Sequence, residues 1–318
     1  MGKIVVVGSS NTDMVIRVPS IPKPGETVLG GDFFSAAGGK GANQAVAAAR
    51  SGGQVTFLAC VGEDDLGRRA VEGFLRDGIN TDHVKRVKDS PSGVALIFVD
   101  HAGENSIAVA PGANDRLDAD YVRQLSDVIA SADVLLLQLE IPIETVKVAA
   151  EIAYNAGTRV VLNPAPARPL DESLLRQVSV LTPNETEAEL LTGIEISDEQ
   201  SLFSAATVLR EKGVDAVLIT LGARGVYVAT ENDHVLLPAY KVTPIDSTGA
   251  GDVFNGALAA SLSEGGDLFE AVRFASAAAA ISVTRLGAQP SAPKHEEILR
   301  FVEERTDSLA VQRTQATP

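Results

Sequence analysis

The chain reads as an α/β fold: a mostly parallel sheet covered by helices, with a small antiparallel sheet beside it. Three observations carry that expectation. Strand-like runs at 4–7, 55–61, 134–139, 160–162, 180–182 and 217–221 are continuously apolar rather than alternating, as strands buried on both faces are. Helical patterns at 44–50, 66–75 and 143–154 separate several of them. Two stretches, about 12–37 and 92–110, break the rhythm with half-polar strands, Pro19, Pro22, Pro24 and Gly25, and the turn Asp100–Glu104. Such hairpin-rich excursions either form a small sheet able to close over a ligand or add edge strands to the main one.

Each element has a local reason. Met1-Gly2-Lys3 leads directly into the first strand, without the regions of a signal peptide. No apolar run reaches ~18 residues, so no membrane span is expected, and the expected compartment is cytoplasmic. The 66–75 helix has its stop signal at Gly78. Asn184, after Pro183, is placed to cap a helix. Gly222 and Gly225 allow a tight turn between strands at 217–219 and 226–229. An Ala-rich helical run follows Gly249-Ala250-Gly251-Asp252. Residues 1–305 read as one domain, and polar 306–318 as a frayed tail.

Composition excludes several functions. With 42 acidic and 27 basic residues among 318, the net charge is −15, which gives no basic face for nucleic acid. The single cysteine, Cys60, sits in an apolar strand; it excludes an internal disulfide or a cysteine metal cage. Four scattered histidines offer no zinc spacing. No Gly-x-Ser-x-Gly elbow and no Gly-x-Gly-x-x-Gly after the first strand support a hydrolase or a dinucleotide enzyme.

The chemistry concentrates in a few stretches. Asp246–Asp252 holds small residues opening a helix, whose free amides form an anion site beside Asp252, a candidate base. Gly38-Gly39-Lys40-Gly41-Ala42-Asn43 permits close backbone approach to a polar ligand, with Lys40 and Asn43 as hydrogen-bonding groups. Asn11 and Asp13, beyond the first strand, suit vicinal hydroxyls, though they also suit turns. Glu140 lies at another strand end, where open α/β sheets bind ligands. Glu187 suits an outer Mg²⁺ ligand acting through water. Together these suggest phosphoryl transfer to a hydroxyl.

At residues 38–50 and 246–256 the chain resembles the phosphofructokinase-B-type (ribokinase-like) carbohydrate kinases. Asn184-Glu185-Thr186-Glu187 is similar to their Asn-x-x-Glu motif, and 163–168 and 287–291 are similar to the ribose-specific branch. The resemblance runs from about Lys3 to about Glu304. It implies a three-layer αβα sandwich with a small β lid, a homodimer through that lid, and ATP-dependent phosphorylation of D-ribose at its 5-hydroxyl. It implies that Asn11, Asp13, Gly39, Lys40, Asn43, Glu140 and Asp252 hold the sugar, with Asp252 as base and Gly249, Ala250 and Gly251 as anion hole. It assigns ATP to Asn184, Thr220, Gly222, Gly225, Gly251 and Ser276, where relatives often carry His or Asn in place of Ser276. It assigns Mg²⁺ to Glu187, and an activating monovalent cation, K⁺, to Asp246, Thr248, Ser282, Arg285, Gly287 and Ser291. Alternatives are kinases of fructose, a keto-deoxy sugar acid, deoxyribose or a nucleoside, and a non-catalytic sugar-binding regulator. A sugar acid asks for an extra arginine and a nucleoside for an aromatic shelf, and neither is evident.

Overall fold

The computed structural model describes residues 1–305, and the tail expected at 306–318 lies outside the described residues. The strands are β1 (Lys3–Val7), β2 (Asn11–Arg17), β3 (Phe33–Gly38), β4 (Gln54–Gly62), β5 (Val84–Val87), β6 (Gly93–Val99), β7 (Asn105–Ala110), β8 (Val134–Leu137), β9 (Arg159–Leu162), β10 (Val180–Leu181), β11 (Ala216–Thr220), β12 (Val226–Ala229) and β13 (His234–Leu237). The helices are α1 (Lys40–Arg50), α2 (Asp65–Arg76), α3 (Ala119–Gln124), α4 (Ser126–Ala130), α5 (Ile143–Ala156), α6 (Glu172–Leu175), α7 (Glu185–Thr192), α8 (Glu199–Glu211), α9 (Ala250–Ser263), α10 (Leu268–Ser282) and α11 (His295–Glu303).

The main sheet has nine strands in the order β13-β12-β11-β10-β9-β8-β1-β4-β5. From β11 to β5 every pairing is parallel, and β12 and β13 add an antiparallel edge. The continuous apolar strands are explained by burial on both faces. In β1, Ile4 and Val6 join a core with Ala45 and Ala48 of α1 and Ala257 and Ala260 of α9. Their neighbours Val5 and Val7 join a second core with Val146 and Ala150 of α5 and Leu202 of α8. Strand alternation thus divides each run between two helix layers, and the expected three-layer sandwich is present.

The small sheet runs β3-β2-β6-β7. It departs from the expected antiparallel pattern in one pairing: β2 and β6 are parallel, from Asn11↔Gly93 to Arg17↔Val99. Between them the chain passes back through the main body as α1, β4, α2 and β5, so β6 leaves that body in the direction β2 does. The second strand of the 12–37 excursion is Phe33–Gly38.

Because the parallel strands share a direction, the segments after β1, β8, β9, β10 and β11 emerge at one edge. They carry Ser9–Asn11, Gln138–Glu140, Asn163, Asn184 and Gly222. This is the edge at which open α/β sheets place their ligands.

Candidate active site

Helix α9 starts at Gly249, whose φ of 73° is left-handed and whose added Cβ would lie 2.7 Å from the Ala288 side chain. Glycine is therefore required there twice over, by conformation and by contact. The Ala250 amide closes a turn on the Ser247 carbonyl, and the Val253 amide bonds to the Gly249 carbonyl. The amides of Gly251 and Asp252 have no acceptor among the described residues and stand at the positive end of the helix.

Asp252 is 8 % exposed. Its Oδ2 accepts from Asn43 Nδ2 at 2.9 Å and its Oδ1 from Gln44 Nε2 at 3.0 Å. Burial pushes its carboxyl above the usual range, opposed by the Lys40 charge and these two amides. A carboxylate held ionised by hydrogen bonds, yet raised toward neutrality by burial, is suited to accept a proton.

Lys40 stands among four carboxylates. Burial, the largest single influence, pulls its ammonium down, but the joint fields of Asp252, Glu140, Glu187 and Asp13 outweigh it, so its pKa is raised. Asp13 is pushed up to about 6, first by burial and then by Glu140 and Asp252. Glu140 Oε2 accepts from Ser9 Oγ at 2.6 Å and from the Lys40 amide at 3.0 Å, tying the β8 end to the start of α1. Gly39 bends that start with a φ of 90°, where a Cβ would lie 2.6 Å from the Asn11 amide nitrogen. Asn43 Oδ1 is buried without any hydrogen-bond partner. An orphan acceptor beside a candidate base calls for a ligand donor such as a hydroxyl.

The groups expected at a nucleotide lie further along the same edge. Asn184 caps α7: its Oδ1 accepts from the Glu187 amide at 2.8 Å, and Glu187 Oε2 accepts from the Asn184 amide at 2.9 Å. Burial raises the Glu187 pKa, opposed by that amide and by Lys40. Thr220 bridges to Asn184 through its amide on the Pro183 carbonyl at 2.9 Å. Gly222 and Gly225 form the turn between β11 and β12. Ser276 is half-buried in α10 and hydrogen-bonds to none of the others.

The six residues assigned to a monovalent cation lie on the loop before α9 and on the end of α10 with the segment that follows it, which the fold joins. Asp246 Oδ1 accepts from the Thr248 amide at 2.9 Å and Oδ2 from the Gly287 amide at 2.8 Å. These bonds hold its carboxyl below the usual range although burial acts the other way. The Arg285 amide bonds to the Ser282 carbonyl, and Ser291 Oγ to the Ala288 carbonyl.

Behind Asp252 runs a chain of polar side chains to which sequence reasoning gave no role. Gln44 Nε2 also donates to Asn163 Oδ1 at 3.1 Å, and Gln138 Nε2 donates to Gln44 Oε1 at 2.6 Å. Thr182 Oγ1 donates to Asn255 Oδ1 at 2.6 Å, and Asn255 Nδ2 to the Gly251 carbonyl at 2.8 Å. Gln44 and Asn255 stand beside Asn43 and Asp252 in the sequence, but their inward direction follows only from how α1 and α9 cross.

Residues 1–295 match the family model described as pfkB family carbohydrate kinase. The ribokinase of Haemophilus influenzae is 49% identical over 300 residues, covering 94% of this chain and 98% of that protein. A crystal structure of ribokinase from Thermotoga maritima superposes with a TM-score of 0.88 at 41% identity, over 95% of this chain and 100% of that one. The Arabidopsis thaliana ribokinase complexed with ribose and ATP superposes with a TM-score of 0.88 at 32% identity, over 95% and 99%.

Proposed function

The chain belongs to the pfkB family of carbohydrate kinases, and from that premise we propose that it transfers the γ-phosphoryl group of ATP to the 5-hydroxyl of D-ribose, with Asp252 as base. The observation that carries this reading is the Asp252 carboxylate, buried between the Asn43 and Gln44 amides at the start of α9. The similarity to ribokinases along nearly the whole chain supports the sugar and the nucleotide.

In this reading Asn11, Asp13, Gly39, Lys40, Asn43 and Glu140 hold ribose against Asp252. Asp252 accepts the hydroxyl proton as the oxygen attacks phosphorus, and the phosphorus–oxygen bond to ADP breaks. The amides of Gly249 and Gly251 and the α9 N-terminus meet the charge on the transferring group, while the Ala250 amide, bonded to the Ser247 carbonyl, shapes the turn that aims them; one such donor is typically worth ~2.7–4 kcal/mol. Lys40 keeps its charge beside that group. Asn184, Thr220, Gly222, Gly225 and Ser276 line the nucleotide.

Mg²⁺, when bound, would neutralise phosphate charge, with Glu187 holding it through water. No group of three His, Cys, Asp or Glu among the described residues forms an all-protein cage. That fits a cation that keeps its waters and shares the phosphates. The ionised Asp246 and the loops it ties together fit a monovalent cation. The small sheet would act as a lid that excludes water from the reaction, and as the seam of a homodimer. An ATP-dependent reaction suits the cytoplasm. The described residues contain no helix long and apolar enough to cross a membrane.

ADP release measured over a sugar panel, with and without K⁺, tests the reading. Ribose is expected to exceed 2-deoxyribose and fructose in kcat/KM, and K⁺ to raise turnover. Equal efficiency on ribose and 2-deoxyribose would remove ribose as the designated substrate.

A further inference from the structure

Residues 8–10 join β1 to β2 and lead straight into Asn11 and Asp13, so the sugar site lies at a crossing between the two sheets. The return crossing after β7 passes through a 3-10 turn, Gly112–Arg116, in which Asn114 is 1 % exposed. The Ser10 amide donates to Asn114 Oδ1 at 2.9 Å. A backbone N–H can only donate, so that end of the Asn114 side chain is its carbonyl oxygen. The other end is then an NH₂ group. It donates to the Ser10 carbonyl at 3.3 Å and to Asn11 Oδ1 at 2.7 Å. Asn11 must therefore turn its oxygen toward Asn114 and its own NH₂ elsewhere, and no described residue accepts from that NH₂. Gly93 keeps the pair in contact: a Cβ there would lie 2.2 Å from Asn11 Oδ1 and 2.4 Å from Asn114 Nδ2.

We propose that Asn114 is a positioning residue that sets the hydrogen-bond polarity of the sugar subsite, locking Asn11 as a donor toward the cleft. Asp13, two residues along β2 and on the same face of the sheet, supplies the acceptor. The pair reads a sugar diol with defined polarity: one hydroxyl oxygen receives the Asn11 proton, and the other hydroxyl gives its proton to Asp13. An analogue lacking either hydroxyl leaves a buried group unpaired, which is how polar sites discriminate strongly. This inference rests on the sugar-kinase reading and names a residue which that reading leaves out.

Two variants test it. Asn114→Asp keeps the shape and the acceptor for the Ser10 amide but replaces the NH₂ group with an oxygen, so Asn11 must turn over. Asn114→Ala leaves Asn11 unconstrained. At about pH 8, well above the ordinary carboxylate range, the KM for ribose should rise in the order wild type, Asn114→Ala, Asn114→Asp. The last should exceed wild type by about tenfold or more, while the KM for ATP stays near its wild-type value. A merely structural role raises the ribose and ATP constants together, because the Asp oxygen also faces the Ser10 carbonyl to which the native amide donates. A ribose KM for Asn114→Asp at or below that of Asn114→Ala, or ribose and ATP constants raised alike, overturns the proposal. If the charged variant does not fold, the wild-type protein decides: the side-chain amide protons of Asn11 should shift on saturation with ribose, and unmoved signals overturn it. A wild-type enzyme that does not phosphorylate ribose defeats the substrate reading, and this inference with it, before any variant is compared.

Discussion

Asp252 answers to opposed demands. Burial raises its pKa, while Lys40, Asn43 and Gln44 favour the charged form that accepts a proton. Asp252→Asn keeps the shape and removes the basicity, so kcat should fall about 10²–10⁴-fold with ribose still bound; single-turnover kinetics and ribose titration separate the two. Near-normal turnover would mean that another group takes the proton. Asp13 makes a pH-dependent case. Its folded pKa of about 6 lies above the unfolded value of about 3.9. Its contribution to stability is therefore present below the unfolded value and is lost as pH rises through about 6. Above that pH the empty site carries a destabilising charge, held for the ligand. Asp13→Asn should raise the melting temperature of the ligand-free protein at about pH 8 and weaken ribose binding. In the wild-type enzyme the KM for ribose should climb as pH falls through about 6. A melting temperature at or below wild type, measured by calorimetry, would show that the carboxylate is not strained.

At the scale of elements, the site depends on how closely α1 and α9 cross. A Cβ on Gly256 would lie 2.6 Å from the Ala47 side chain and 2.7 Å from the Ala48 amide nitrogen. Small residues on both helices let the backbones touch, and this contact carries Asn43 and Gln44 to Asp252. Gly256→Val should separate the helices, cost about 1–3 kcal/mol by overpacking, and lower kcat by lengthening the Gln44–Asp252 bond. Thermal unfolding and turnover check both parts; full activity in a destabilised variant would show that the crossing supports the fold and not the base. The helix starts were readable at this scale. Asn184 before Glu187 is a capping pair in the sequence and in the structure. The bounds of β3 were not readable, because they follow from pairing with β2, Phe33 opposite Ile16 and Gly38 opposite Asn11.

For the whole molecule, the small sheet poses the open question of what covers it. Register places Met14, Ile16, Phe33, Leu96 and Phe98 on one face, opposite to that of Asn11 and Asp13. Phe33 is 64 % exposed and Leu96 49 % exposed. A four-stranded sheet with an uncovered apolar face gains by burying it, and a second copy of the same face is the occupant that the proposed homodimer supplies. Leu96→Asp should halve the mass seen by sedimentation and raise the KM for ribose, because the lid loses its support. A variant that sediments like wild type would remove this face as the seam.

From local chemistry alone, the sequence determined the βα alternation, the doubly buried strands, the glycine-rich helix starts and a candidate base among them. These are short-range properties: apolar continuity reports burial on two faces, and small residues before a helix leave its amides open. Only the tertiary structure decided which polar groups stand behind Asp252, that β2 and β6 run parallel, and that the Asn114 amide donates to Asn11. Those facts depend on helix crossings and strand pairings between residues far apart in the chain, where no local pattern records which side chain will meet which.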